Sequence, residues 1–494
     1  MKTLVIVGAG FSGVAAAAQV LRSAGTKLRI ILINRTRTMA RGLAYGTNSP
    51  LHLLNASVGK MSALDDDPED FLRFCRSRHL DVEPTSYVPR SLYGNYLNDV
   101  LDSAEQSNPG VQLSRIVAEV IQVQPSGDGA RLKLSDGRTL EADHVILAFG
   151  NFPPADCCNL NKTLRPQTYA HDPWSPPLCL ASDPDTAVLL IGSGLTAVDM
   201  ALQLLQKGHR GPIHLLSRRG LLPLGHLPEA IAPLCAPVHL GRGSPRQLMA
   251  TLRKRVKEHQ RRGGDWRAVV DSLRPWVQKL WCAMDTSQQR QFLRHVQPWW
   301  DVHRHRLAPA TFEHFRLLLD SGQLAIHAGR LINVALLGNS LIVDFKRRSD
   351  QATESLKVSC IINCTGPNLD IRRVDTALVN NLLEQGLLSA APCGFGILVD
   401  EQLRVLDQQH QPIPWLSYVG PMLKGQYWEA TAVPELRRFS FTLATRITTL
   451  LADAPSGSGQ GSSLRVTSHG ERVATDLKST PHAAWVNPGS RQLP

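Results

Sequence analysis

The stretch Thr3-Leu4-Val5-Ile6-Val7-Gly8-Ala9-Gly10-Phe11-Ser12-Gly13, followed by Val14 to Leu21, decides the fold. Thr3 to Val7 is a short apolar, β-branched run suited to a buried strand, and Val14 to Leu21 is helix-forming. The glycines between them have the spacing of a dinucleotide-binding turn. Gly8 permits the tight turn, Gly10 lets backbone N–H groups approach a pyrophosphate, and Gly13 lets the helix pack closely on the strand. Phe11 and Ser12 complete the loop. Leu28 to Ile33 reads as the next strand, and at its end, where an acid is expected to bind ribose hydroxyls, stands Asn34. An amide can still bond a hydroxyl, so Asn34 stays among the expected cofactor residues. The same segment has the positive start and alanine-rich end of a secretory signal, but the glycine spacing favours the nucleotide reading.

The pattern recurs. Ala187 to Ile191 is a second apolar strand, followed by Gly192-Ser193-Gly194-Leu195-Thr196-Ala197 and a helix-forming run from Val198. Ala197 at the third position is an accepted variant, and Gly192, Gly194, Thr196 and Ala197 are the expected contacts of a second cofactor. The following strand ends in Ser217-Arg218-Arg219, two guanidiniums where a 2′-phosphate needs charge, so NADPH is preferred to NADH there. Two such units predict a flavoprotein with FAD in the first and NAD(P)H in the second. Ala142 to Gly150 and Val358 to Gly366 are both strand-then-glycine segments, which adds Gly150 and Gly366 to the expected site.

Composition narrows the classes. The chain has 494 residues, 43% hydrophobic and 19% charged, enough for two or three globular units at roughly 150 residues each. Net charge is +12, but the aromatic-interleaved basic repeats of a nucleic-acid binder are missing, so no nucleic-acid partner is expected. Nine scattered cysteines without C-x-x-C spacing read as free thiols in a reducing compartment. No apolar run reaches the ~18 residues of a transmembrane segment, and the expected location is cytoplasmic.

Further motifs carry a resemblance: Gly42-Leu43-Ala44-Tyr45-Gly46, His52-Leu53-Leu54-Asn55, Met61-Ser62, Tyr93-Gly94-Asn95-Tyr96, Gly192 to Asp199, Asp301 to Arg306 and Trp428 to Arg437. From Met1 to about residue 450 the chain resembles bacterial FAD/NAD(P)-binding oxidoreductases that include urate hydroxylase-like and aspartate N-monooxygenase-like flavoproteins. The resemblance implies an α/β fold of two Rossmann-like dinucleotide-binding domains, glutathione-reductase-like, with a discontinuous FAD domain. It implies that His52, Asn55 and Met61 line the flavin, and that Gly420 and Pro421 begin a returning FAD segment near the isoalloxazine. The expected limits are 1–155 for the first part of the FAD domain, 156–330 for the NAD(P)H domain, 331–450 for the returning part and 451–494 for a disordered tail.

A helical insertion is expected over 244–322. Leu248, Leu252 and Val256 share one face of its first helix, opposite Arg253, Lys254, Lys257 and Arg261. Its end holds His303, Arg304, His305 and Arg306, candidates to clamp an anionic substrate and move a proton between this segment and Trp428 to Glu435. The competing reading is that these side chains pack the insertion against the nucleotide domain. Histidines at i and i+2 lie on different sides of a helix, so no metal site is expected. The activity expected is that of an FAD-dependent, NADPH-consuming monooxygenase that hydroxylates a small-molecule substrate at nitrogen or carbon with O2. The alternatives are a reductase with a non-oxygen acceptor and a flavin-binding scaffold. A disulfide reductase is disfavoured, since it needs paired thiols beside the flavin.

Overall fold

The computed structural model describes residues 1–25, 28–175, 183–229, 231–234 and 243–452. The tail expected from residue 451 falls, from 453 onward, outside the described residues. The chain opens with strand β1 (Lys2–Val7), helix α1 (Phe11–Ser23), strand β2 (Leu28–Asn34), helix α2 (Arg90–Ser107) and strand β3 (Gln112–Val117). Every residue of α1 from Phe11 to Leu21 is buried, which explains its run of four alanines: only small side chains let both faces of the helix be covered. A three-stranded antiparallel meander follows, β4 (Val120–Ser126), β5 (Gly129–Leu134) and β6 (Thr139–Ala142), before β7 (His144–Leu147) returns beside β1.

The second unit runs β8 (Tyr169–Ala170), β9 (Val188–Ile191), α3 (Leu195–Gln206), β10 (Ile213–Ser217), then the inserted helices, then β11 (Leu324–Leu337), β12 (Ser340–Arg347), β13 (Thr353–Val358) and β14 (Cys360–Asn363). These strands form one sheet in the order β13-β12-β11-β10-β9-β14-β8, parallel from β11 to β8. The chain then adds β15 (Arg404–Leu406) and β16 (Pro412–Tyr418) to the first sheet, which reads β15-β16-β7-β1-β2-β3. The last described helix, Val433–Ala452, packs on α1. One core joins residues 4–148 to residues 371–447, so the first unit is discontinuous, as expected.

Two limits differ from the expectation. The second sheet continues through β14, so the chain returns to the first sheet after Gly366 and not near Gly329. Glycine at 329 marks a bend where β11 leaves its parallel partner β10 and pairs antiparallel with β12. The insertion is also shorter than 244–322. The helix Pro309–Asp320 buries Phe315 and Leu318 in the core of the second unit, where it is the crossover from β10 to β11. The inserted helices proper run from Pro245–Arg261 to Gln297–Arg304. The first has a capping box, Ser244 accepting from Gln247 N, and its predicted stripe is turned inward: Leu252 joins Trp281, Trp300 and Trp428 in a separate small core.

Candidate functional site

The two glycine turns are copies of one another. Gly8 has φ +109° and Gly192 φ +114°; Gly8 N donates to Ile33 O and Gly192 N to Leu216 O, both at 2.8 Å. A Cβ on Gly8 would lie 2.5 Å from Ala148 O, and one on Gly192 would lie 2.4 Å from Cys364 O. These glycines are required by the protein itself. Gly10 and Gly194 are different. They cap α1 and α3 with ordinary φ of −81° and −87°. A Cβ on Gly10 would come no nearer than 3.6 Å to another atom, and one on Gly194 would meet nothing within 4 Å. Neither backbone strain nor packing asks for glycine there. The bare space lies in front of a helix N-terminus, where N–H groups and the helix dipole favour a phosphate. Both turns therefore fit a dinucleotide pyrophosphate.

Around the first cradle, Gly42, Gly150 and, partly, Asn55 are open to solvent, and Gly366 is half-open beside the second. Asn34 is engaged by the protein: its Oδ1 accepts from Ala9 N at 3.4 Å and its Nδ2 donates to Thr36 O at 2.9 Å. It braces the glycine loop. His52 departs from its expected role. It is 0% exposed, Nε2 donates to the Asp199 carbonyl at 2.9 Å and Nδ1 accepts from Thr47 Oγ1 at 2.7 Å. The ring is covered by the second unit, and burial lowers its pKa. Beside it Arg90 and Asp199 form a buried pair at 2.8 Å, so the two units are tied behind the cradles. Met61, Gly420 and Pro421 are also buried.

The segment Asp301 to Arg306 meets the returning segment directly. Arg304 pairs with Glu429 at 3.0 Å, Arg274 with Glu435 at 2.8 Å, and Trp281 Nε1 donates to Gly425 O at 2.9 Å. Arg306 pairs with Asp271 and its side chain is 3% exposed. Both guanidiniums of the expected clamp are paired with carboxylates, and the Arg304–Glu429 pair bridges the two segments between which substrate was expected. His305 is half-buried 3.7 Å from Asp301, its pKa lowered by burial and by Lys424 and Arg304. His303 donates from Nδ1 to Trp299 O at 2.8 Å and lines a cavity of about 310 Å³ with Trp266, Trp299 and Trp300.

Sequence reasoning missed a group facing these pairs from the other side. Lys60 feels the charges of Asp271, Arg274, Arg304 and Arg306: desolvation lowers its pKa, opposed by Asp271 and helped by the three guanidiniums. Tyr87 packs against His226 in a tilted pair with ring centroids 5.4 Å apart, and the pKa of His226 is pushed down to about 4 by burial and by Arg306. These residues come from three distant segments without a shared motif. Lys60 was within reach, one residue from Met61.

Residues 5–152 match the family model described as FAD-NAD(P)-binding. No curated protein matches the chain. Among solved structures, the chain is similar to an ornithine N-hydroxylase of Kutzneria sp. 744, with 14% identity, TM-score 0.60, and coverage of 91% of this chain and 99% of that one. It is similar to a cadaverine monooxygenase of Erwinia amylovora solved with FAD, with 12% identity, TM-score 0.62, and coverage of 90% and 94%. It is also similar to the bacillithiol disulfide reductase of Staphylococcus aureus, with 13% identity, TM-score 0.53, and coverage of 91% and 99%. The two-sheet α/β fold is thus shared with these structures. No described helix is long and apolar enough to cross a membrane. No described group of His, Cys, Asp or Glu could hold a metal ion.

Proposed function

We propose that the chain is an FAD-dependent, NADPH-consuming monooxygenase that hydroxylates a small molecule at nitrogen or carbon. The observation that carries this reading is the pair of turns at Gly10 and Gly194 in one chain, where a Cβ would crowd no protein atom, coming no nearer than 3.6 Å to Gly42 at the first and meeting nothing within 4 Å at the second. Likeness to an ornithine N-hydroxylase and a cadaverine monooxygenase supports the oxygen chemistry. On this reading FAD binds residues 1–155 and 367–452, and NADPH binds 156–366. A flavin held there would supply the acceptor for hydride from NADPH and the means of activating O2.

The chain's own part is binding, orientation and exclusion of water. The α1 and α3 N-termini hold the pyrophosphates, with Thr196 beside the second, and Arg218 and Arg219 face the 2′-phosphate. The Arg304–Glu429 and Arg274–Glu435 pairs seat the insertion, with Trp281 and Trp428, over the returning segment and keep water out. Lys60 replaces Arg304 and Arg306 as the cation facing a substrate carboxylate or phosphate. Cys364 is buried beside the second cradle with its pKa raised by burial, which suits a structural thiol and not a redox partner. Free thiols at Cys75, Cys157 and Cys282 suit a cytoplasmic setting.

The test is NADPH-dependent O2 uptake with candidate amines, amino acids and purines, with product measured by mass spectrometry. A substrate that gains one oxygen per NADPH oxidised supports the reading. NADPH oxidation that needs a non-oxygen acceptor points to a reductase, and none at all points to a scaffold.

A further inference from the structure

The end of β10 is met by a third guanidinium that comes from elsewhere in the chain. Arg348 lies on the turn between β12 and β13; its backbone N donates to Ala328 O at 2.8 Å and its Nη1 to Arg218 O at 3.4 Å. Arg219 is fixed from the opposite side, its Nη2 donating to Arg294 O at 2.7 Å. Desolvation, Arg218 and Arg348 all lower the pKa of Arg219, as expected where three like charges converge. The neighbouring Arg347 has acidic partners, Asp350 and, at 2.6 Å, Glu354, and Arg210 at the other end of β10 pairs with Asp185 at 2.7 Å. Arg218, Arg219 and Arg348 form no ion pair among the described residues.

A cavity of about 490 Å³ opens beside Arg348, lined by Ile326, His327, Ala328 and Phe345, with Glu354 at its wall already neutralised by Arg347. It lies where the parallel part of β11 ends, Ala328 being level with Ser217 of β10. In open parallel sheets, ligands bind beyond the carboxyl ends of the strands. The volume is within the ~300 to 1,000 Å³ of small-molecule sites.

We propose that Arg348 completes a three-arginine clamp for a 2′-phosphate with Arg218 and Arg219, and that the adjoining cavity takes the adenine. A dianion there relieves the repulsion among the three guanidiniums, so a neutral 2′-hydroxyl gains nothing comparable. The proposal rests on reading the second cradle as the pyridine-nucleotide site, and not on what the flavin does with oxygen.

The test uses calorimetric binding of 2′,5′-ADP and of 5′-AMP, which both lack the nicotinamide, to the flavin-loaded protein. Arg348→Ala is expected to weaken 2′,5′-ADP by 10- to 100-fold, as loss of a charge-assisted bond would, and to leave 5′-AMP within about twofold. Arg348→Lys is expected to keep part of the preference. Arg348 is exposed on a turn, so folding is not at stake, and Arg210→Ala serves as the control for general loss of charge. Unchanged 2′,5′-ADP binding in Arg348→Ala, equal loss for both nucleotides, or no preference for 2′,5′-ADP in the unaltered protein would each overturn the clamp. Failure of the monooxygenase reading would instead leave this preference intact while NADPH-driven O2 uptake was missing.

Discussion

Glycine means two different things within one motif here, and substitutions separate them. Gly10→Val adds a side chain to bare space, so it is expected to cut bound FAD at least tenfold, read as flavin absorbance per protein, while shifting the melting temperature little. Gly8→Ala forces a Cβ into Ala148 O at φ +109° and is expected to unfold the first unit. A Gly10→Val protein with full flavin content would remove the first cradle from the account. The motif and its spacing were legible in the sequence, and so was Asn34 as the odd residue. The fate of Arg304 was not, because charge counts along a chain do not say which carboxylate is near. Arg304→Ala leaves Glu429 buried without its partner, and a loss of roughly 3 kcal/mol is expected in a denaturant midpoint series. Glu429→Gln in the same background should recover part of it; if Arg304→Ala only lowers turnover with stability unchanged, the substrate-clamp role returns.

Elements were readable where the hydrophobic pattern was strong. The strand-glycine-helix units, the two strand-glycine returns and the inward stripe of the first inserted helix are all found as expected. The limits of the second unit are not legible in the sequence, because β11 changes partners midway and no local signal says which sheet a strand will join. The wall between β7 and β16 gives an element-scale prediction. His144 on β7 is fully covered, its Nε2 3.0 Å from Ser417 Oγ, and burial with Arg446 nearby pushes its pKa down to about 3. An unfolded histidine titrates near 6.5. Above pH 6.5 neither state takes the proton and stability is flat. Between about 6.5 and 3 only the unfolded state takes it, so stability falls with falling pH by up to about 1.4 kcal/mol per pH unit. His144→Gln is expected to flatten that slope in melts between pH 6.5 and 4; an unchanged slope would assign acid sensitivity to other groups.

The whole molecule sets two copies of one phosphate cradle side by side, joined behind by His52, Arg90 and Asp199 and roofed by an insertion bolted to the returning segment. On the proposed reading such an assembly would bring a pyridine nucleotide and a flavin into one chain, and the chemistry that follows would depend on what reaches the flavin next. The overall two-unit plan could be read from the repeated glycine motif, whereas the docking of the units could not, since His52 and Asp199 are far apart in sequence. The most direct measurement is an anaerobic spectroscopic titration of the purified yellow protein with NADPH, followed by admission of air. One equivalent of NADPH is expected to bleach the flavin band, and the colour is expected to return on exposure to O2 without any other acceptor. A flavin band that NADPH leaves unbleached would contradict the proposed function.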